Sequence, residues 1–78
     1  MGEKARQRKL SKEDKLLAKR IRELREKQNL TQEELSDRLG KNFSYIAYIE
    51  TGRRGLSLPT VYRIARVLGV EVKELFDF

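Results

Sequence analysis

Apolar residues along the chain fall into five clusters at helical spacing, and no segment alternates with the period of a strand. In the first cluster Leu16, Leu17, Ile21 and Leu24 form an inward stripe. Ser11 precedes it, and Glu13 and Asp14 stand where negative charge favours the positive end of a helix. A helix is predicted from just after Ser11, fading around Lys27 to Asn29, with Glu23 and Lys27 adding an i,i+4 pair. The second begins at Thr31, an N-cap whose partner Glu34 completes a capping box. Leu35 and Leu39 share its inner face, and Gly40 follows where a left-handed residue ends a helix. The third is predicted from about Asn42, a cap, to Ile49, with Tyr45, Ile46 and Ile49 as its buried stripe. Ser57-Leu58-Pro59-Thr60 starts a fourth helix with proline in the first turn. Val61, Ile64, Ala65 and Leu68 keep its period until Gly69. A short fifth runs from about Glu71 to the end. Val70, Val72, Leu75, Phe76 and Phe78 give it more apolar side chains than one short helix needs internally, so some should meet a partner.

The second and third helices, joined by a short glycine turn and crossing closely at the small Ser36, make a helix-turn-helix. Such a crossing leaves one face of the third helix free and points to DNA. The loop after it, Thr51-Gly52-Arg53-Arg54-Gly55, carries two adjacent arginines.

Composition narrows the chemistry. The 78 residues include no cysteine and no histidine, which removes disulfides, thiol nucleophiles, imidazole acid–base catalysis and the usual zinc ligands. No enzyme activity, cofactor or metal is therefore expected. No apolar run approaches a membrane span and no signal-peptide core is present, so a cytoplasmic protein with no membrane partner is expected. A single domain of this size is near the limit of what one core sustains, and dimerisation would add burial. The net charge of +6 lies upstream of the motif: residues 1–30 hold eleven Lys/Arg against five Asp/Glu, residues 31–78 seven of each. Residues 1–10, with Lys4, Arg6, Arg8 and Lys9, read as a flexible basic arm that follows phosphates or enters a groove, or else as a solubilising tail or cloning remnant. Residues 11–78 then form the helix-turn-helix domain.

Residues 17–76 resemble the lambda-repressor-like, Xre/Cro-type helix-turn-helix family. The matching pieces are Ile21-Arg22-Glu23-Leu24-Arg25, Leu30-Thr31-Gln32-Glu33-Glu34-Leu35, Leu39-Gly40, Ser44-Tyr45-Ile46, Ile49-Glu50 with Gly52, and Ile64-Ala65 through Leu68-Gly69-Val70 to Leu75-Phe76. Lys41 departs from the pattern, standing where the family usually has an apolar residue, as do Phe43 and Tyr48, where polar readers are common.

The resemblance implies an all-α, five-helix domain whose helix from about Asn42 to Ile49 enters the major groove while the preceding helix abuts the backbone. Gln32 would bind phosphate and brace the recognition helix, or simply be a solvated helix start. Lys41 joins the DNA-facing set. Asn42 either bonds a phosphate or an adenine edge or is a plain cap. Phe43 meets a thymine methyl or packs on the first helix. Ser44 bonds base or backbone, and Tyr48 reaches a base or phosphate through its hydroxyl. Tyr45 buries its ring and extends its hydroxyl to the DNA backbone. Arg53 and Arg54 are phosphate clamps or an ordinary basic loop. Arg25 and Glu50 correspond to a largely buried ion pair of the family, tying the first helix to the end of the recognition helix.

One recognition helix reading three or four base pairs at about 1–3 kcal/mol each does not select a genomic site, whereas two copies one helical turn apart do. The expectation is a transcriptional regulator binding a pseudo-palindromic operator on double-stranded DNA as a homodimer through candidates Val70, Val72, Leu75 and Phe76, the alternative being that this apolar tail seals the monomer core, as some of it must. The chain resembles stand-alone restriction–modification controllers and small phage or plasmid repressors, or equally the N-terminal half of something longer. A contact with RNA polymerase falls to Glu33, Glu34 or Asp37, unless these are solvated charges. The alternative is a protein-interaction module, an antitoxin or coactivator-like bridge, in which Phe43 and Tyr48 belong to a protein interface.

Overall fold

In a computed structural model, which describes residues 11–78, five helices follow one another: α1 (Lys12–Lys27), α2 (Gln32–Arg38), α3 (Tyr45–Glu50), α4 (Leu58–Leu68) and α5 (Val72–Leu75). The basic arm proposed for residues 1–10 lies outside the described residues. Local chemistry fixes where the helices start. Ser11 Oγ accepts from the Asp14 N–H while Asp14 returns the bond to the Ser11 N–H, both at 3.0 Å. Thr31 and Glu34 make the same reciprocal box at 3.0 and 2.8 Å, and Ser57 caps α4.

The ends of α1 to α4 share one device. In each, the residue after a left-handed position donates to a carbonyl five residues back: Leu30 to Arg25, Lys41 to Ser36, Arg53 to Tyr48, Val70 to Ala65. The left-handed positions are Asn29, Gly40, Gly52 and Gly69. Asparagine tolerates this conformation and glycine adopts it without a Cβ clash, so the sequence stops each helix and turns the chain back within two residues.

These helices bury one core of Leu17, Ala18, Ile21, Leu24, Leu30, Leu35, Leu39, Ile46, Ile49, Val61, Ile64, Ala65, Leu68 and Leu75. The stripe of α1 differs from the predicted one, because Ala18 is buried and Leu16 only half so. At 100° per residue Leu16 lies about 140° round the helix from the fully buried Ile21, while Leu17 and Ala18 lie within about 60°. α3 packs on α1 and α2, and α5 on α1 and α4.

Long side chains from α1 and α4 then close the helix ends. Arg20 Nε donates to the Glu74 carbonyl at 2.7 Å, Gln28 Nε2 to that of Leu68 at 2.6 Å, and Arg63 Nη2 to that of Leu39 at 2.7 Å. Each satisfies a carbonyl that its own helix leaves unpaired.

Candidate nucleic-acid interface

The third helix has only six residues, too short to stand alone, so its position is imposed by neighbours. Behind it lies Ser36 of α2, fully buried, whose Oγ accepts from the Ile46 N–H at 3.0 Å. A side chain of one motif helix thereby satisfies an orphan donor in the first turn of the other. At the far end Arg25 Nε and Nη2 donate to the two Glu50 carboxylate oxygens at 2.7 and 2.9 Å, a bidentate fork. Arg25 Nη1 also donates to the Leu30 carbonyl at 2.7 Å. The hydrogen bonds to Glu50 hold the Arg25 guanidinium further above its ordinary pKa than burial pulls it down. Gln32 Nε2 donates to Glu50 as well, at 3.0 Å, so α1, the start of α2 and the end of α3 meet on one carboxylate.

The opposite side of α3 is open. Its entry is a turn: Asn42 Oδ1 accepts from both the N–H and the hydroxyl of Ser44, at 2.9 and 2.7 Å, and the Asn42 carbonyl accepts from the Tyr45 N–H. Phe43, on the turn, is 70% exposed, and Tyr48 one turn further on is also exposed. Cations lie against the tyrosines: Lys41 Nζ is 5.4 Å and the Arg54 guanidinium 5.2 Å from the Tyr45 ring, and Arg53 is 5.8 Å from that of Tyr48. Tyr48, Arg53 and Arg54 line one shallow depression. Between Arg38 and Arg66 the chain carries six cations, Arg38, Lys41, Arg53, Arg54, Arg63 and Arg66, against one carboxylate, Glu50. Since Arg25 already neutralises Glu50, this stretch of the chain carries a net positive charge, suited to phosphate.

Comparison with known proteins decides the family. The profile of the family described as Helix-turn-helix matches residues 21–75. The chain belongs to the helix-turn-helix family, of the Xre, lambda-repressor-like type. A helix-turn-helix transcriptional regulator of Archaeoglobus fulgidus is 42% identical over 59 residues, 76% of this chain and 83% of the relative. Control protein C.BamHI of Bacillus amyloliquefaciens is 38% identical over 64 residues, 81% of this chain and 79% of its own. The crystal structure of the restriction-modification controller protein C.AhdI from Aeromonas hydrophila superposes with a TM-score of 0.75 at 36% identity, covering 81% of this chain and 96% of that one. The protein is thus a DNA-binding transcriptional regulator of this family, and not an enzyme.

Three expectations for this helix-turn-helix regulator change with the structure. The recognition helix starts at Tyr45 rather than Asn42, because Asn42 and Ser44 bond one another in a turn; Phe43 and Ser44 therefore sit at the mouth of the helix rather than along it. The same bonds fill the acceptor of Asn42, which removes the paired contact to an adenine edge. Leu75, expected at a partner surface, is fully buried in the chain's own core, the inward residue of α5. Val70 and Val72 are half-buried, and Phe76 is 44% exposed with its ring 6.3 Å from that of Phe78. Tyr45 is half-buried, packed on the core with its ring beside two cations. Among the described residues no helix is long and apolar enough to cross a membrane.

Proposed function

We propose that the protein reads a pseudo-palindromic operator on double-stranded DNA as a homodimer, with the turn 42–44 and α3 in the major groove. The observation that carries this reading is the exposed Phe43–Tyr48 face, bordered by Lys41, Arg53 and Arg54 and clamped from behind by Ser36 and the Arg25–Glu50 pair. In that pose Gln32 braces the helix through Glu50, and its second amide hydrogen faces a phosphate. Val70 and Val72, half-buried against the core, and the exposed Phe76 supply the two-fold contact. The likeness to C.AhdI supports a regulator of the controller kind, for which we propose a cytoplasmic location. Glu34 is occupied by its cap, which leaves Glu33 and Asp37 on α2 as the carboxylates for a polymerase contact.

Selection from a random duplex pool at physiological salt, followed by a salt titration on the winning site, tests the reading. The expected outcome is a two-fold symmetric site and a steep log–log slope that falls by about one per half-site in Arg54→Ala. Sedimentation should show a dimer at micromolar concentrations. Weak, sequence-blind binding alone would transfer the exposed aromatics to a protein interface, as in an antitoxin or bridging factor, and a monomer throughout would refute the two-fold contact.

A further inference from the structure

We propose that the regulator recognises its operator through the C5-methyl groups of pyrimidines, thymine or 5-methylcytosine, and that Phe43 is the side chain that covers them. This rests on the DNA-reading function above and specifies what its exposed face reads.

Base identity is usually read by two hydrogen bonds from one side chain, an amide donating and accepting on adenine or a guanidinium donating twice on guanine. On the turn that enters α3 that capacity is largely used up within the protein. Asn42 Oδ1 has two lone pairs and receives two donors, both from Ser44. The Ser44 hydroxyl hydrogen is used in the same bond, so Ser44 offers only lone pairs and Asn42 only its amide hydrogens. Lys41, Arg53 and Arg54 are drawn to the rings of Tyr45 and Tyr48 at the border of the face. The most exposed large apolar side chain of the described residues is Phe43, on the turn that enters α3. Its ring has no hydrogen-bonding atom. In the major groove the apolar group a base pair presents is the C5-methyl of thymine, and 5-methylcytosine carries the same methyl on the same carbon. The apolar ring of Phe43 and the mutually occupied Asn42 and Ser44 beside it point to a readout at the turn in which covering a methyl discriminates. A cytosine methylated at a contacted position then becomes a better ligand than an unmodified one.

The selected operator supplies the probe. Replacing its thymines one at a time by deoxyuridine deletes only the methyl, and at the covered positions Kd should rise about fourfold per methyl, the effect of uncovering one methylene-sized group. Replacing a covered T·A pair by C·G should weaken binding, and 5-methylcytosine in that pair should recover about fourfold. In Phe43→Ala, an exposed substitution whose fold is checked by circular dichroism, the thymine-to-deoxyuridine ratio should collapse to about one. Equal affinities for the thymine and deoxyuridine duplexes would overturn methyl readout while leaving the regulator reading intact. An undiminished ratio in Phe43→Ala would overturn the assignment to Phe43. A thymine effect without recovery by 5-methylcytosine upholds the reading for thymine and overturns it for the methylated base. A pool that yields no enriched site overturns both readings together.

Discussion

Removing the Arg25 side chain tests what holds α3 in place. In Arg25→Ala the molecule loses three hydrogen bonds, two to Glu50 and one to the Leu30 carbonyl. The side chains of Arg25 and Glu50 are only 9% and 3% exposed, so water does not replace the lost partner, and the Glu50 carboxylate keeps the Gln32 amide alone. Breaking a buried ion pair on one side costs about 3–5 kcal/mol. A domain of this size is stable by roughly 4–12 kcal/mol at typical per-residue values. The substitution therefore removes a quarter or more of the total, and at about 4–8 °C per kcal/mol it lowers Tm by about 12 °C or more. Thermal and urea unfolding followed by circular dichroism measure this. The double variant Arg25→Met/Glu50→Leu leaves no unpaired buried charge and should lose less than Arg25→Ala. A single variant melting within about 4 °C of wild type, or a double variant weaker than the single, would refute the reasoning.

Two further substitutions probe the same scaffold. Ser36→Ala leaves the buried Ile46 N–H without an acceptor and should cost about 1–3 kcal/mol, read as a shift of the urea midpoint at unchanged m; no shift would mean that the Ser36 hydroxyl contributes nothing to docking α3. The Glu34 carboxyl is held below its ordinary pKa by the Thr31 backbone N–H first and the Thr31 hydroxyl second. Its capping contribution is thus full above the ordinary glutamate range and disappears as pH falls through the lowered folded value. The Tm difference between wild type and Glu34→Gln should accordingly close on acidification, and a gap that stays constant with pH would rule this out.

Much of this was legible in the sequence because it is local. Thr31 with Glu34, and Gly40 and Gly69 after their periodic leucines, each announce a helix end within four residues. The spacing of Leu35, Leu39, Ile46 and Ile49 places the core face of the motif with no knowledge of the rest. The contacts of Arg20, Gln28 and Arg63 were not legible, since their carbonyl partners lie 54, 40 and 24 residues away and an arginine on a helix surface does not show which chain end it reaches. The sequence leaves Leu75 undecided between partner surface and core for a related reason: four residues of helix give no period from which to tell an inward from an outward leucine. At the site, the sequence names the residues but not their pairing. That Asn42 and Ser44 occupy one another, and that Tyr45 and Tyr48 collect the neighbouring cations, depends on a turn whose backbone is set by the two helices it joins.

Within the six residues of α3, the two tasks of the helix fall on different side chains. Ile46 and Ile49 are buried and belong to the fold, whereas Tyr48, like Phe43 just before the helix, is exposed. Because the anchoring atoms, the Ser36 hydroxyl and the Glu50 carboxylate, lie on the inner side, substitutions at 43 and 48 leave them untouched. On the proposed reading of residues 43 and 48, a lineage of such proteins is free to drift from one operator to another by single mutations, without passing through unfolded intermediates along the way.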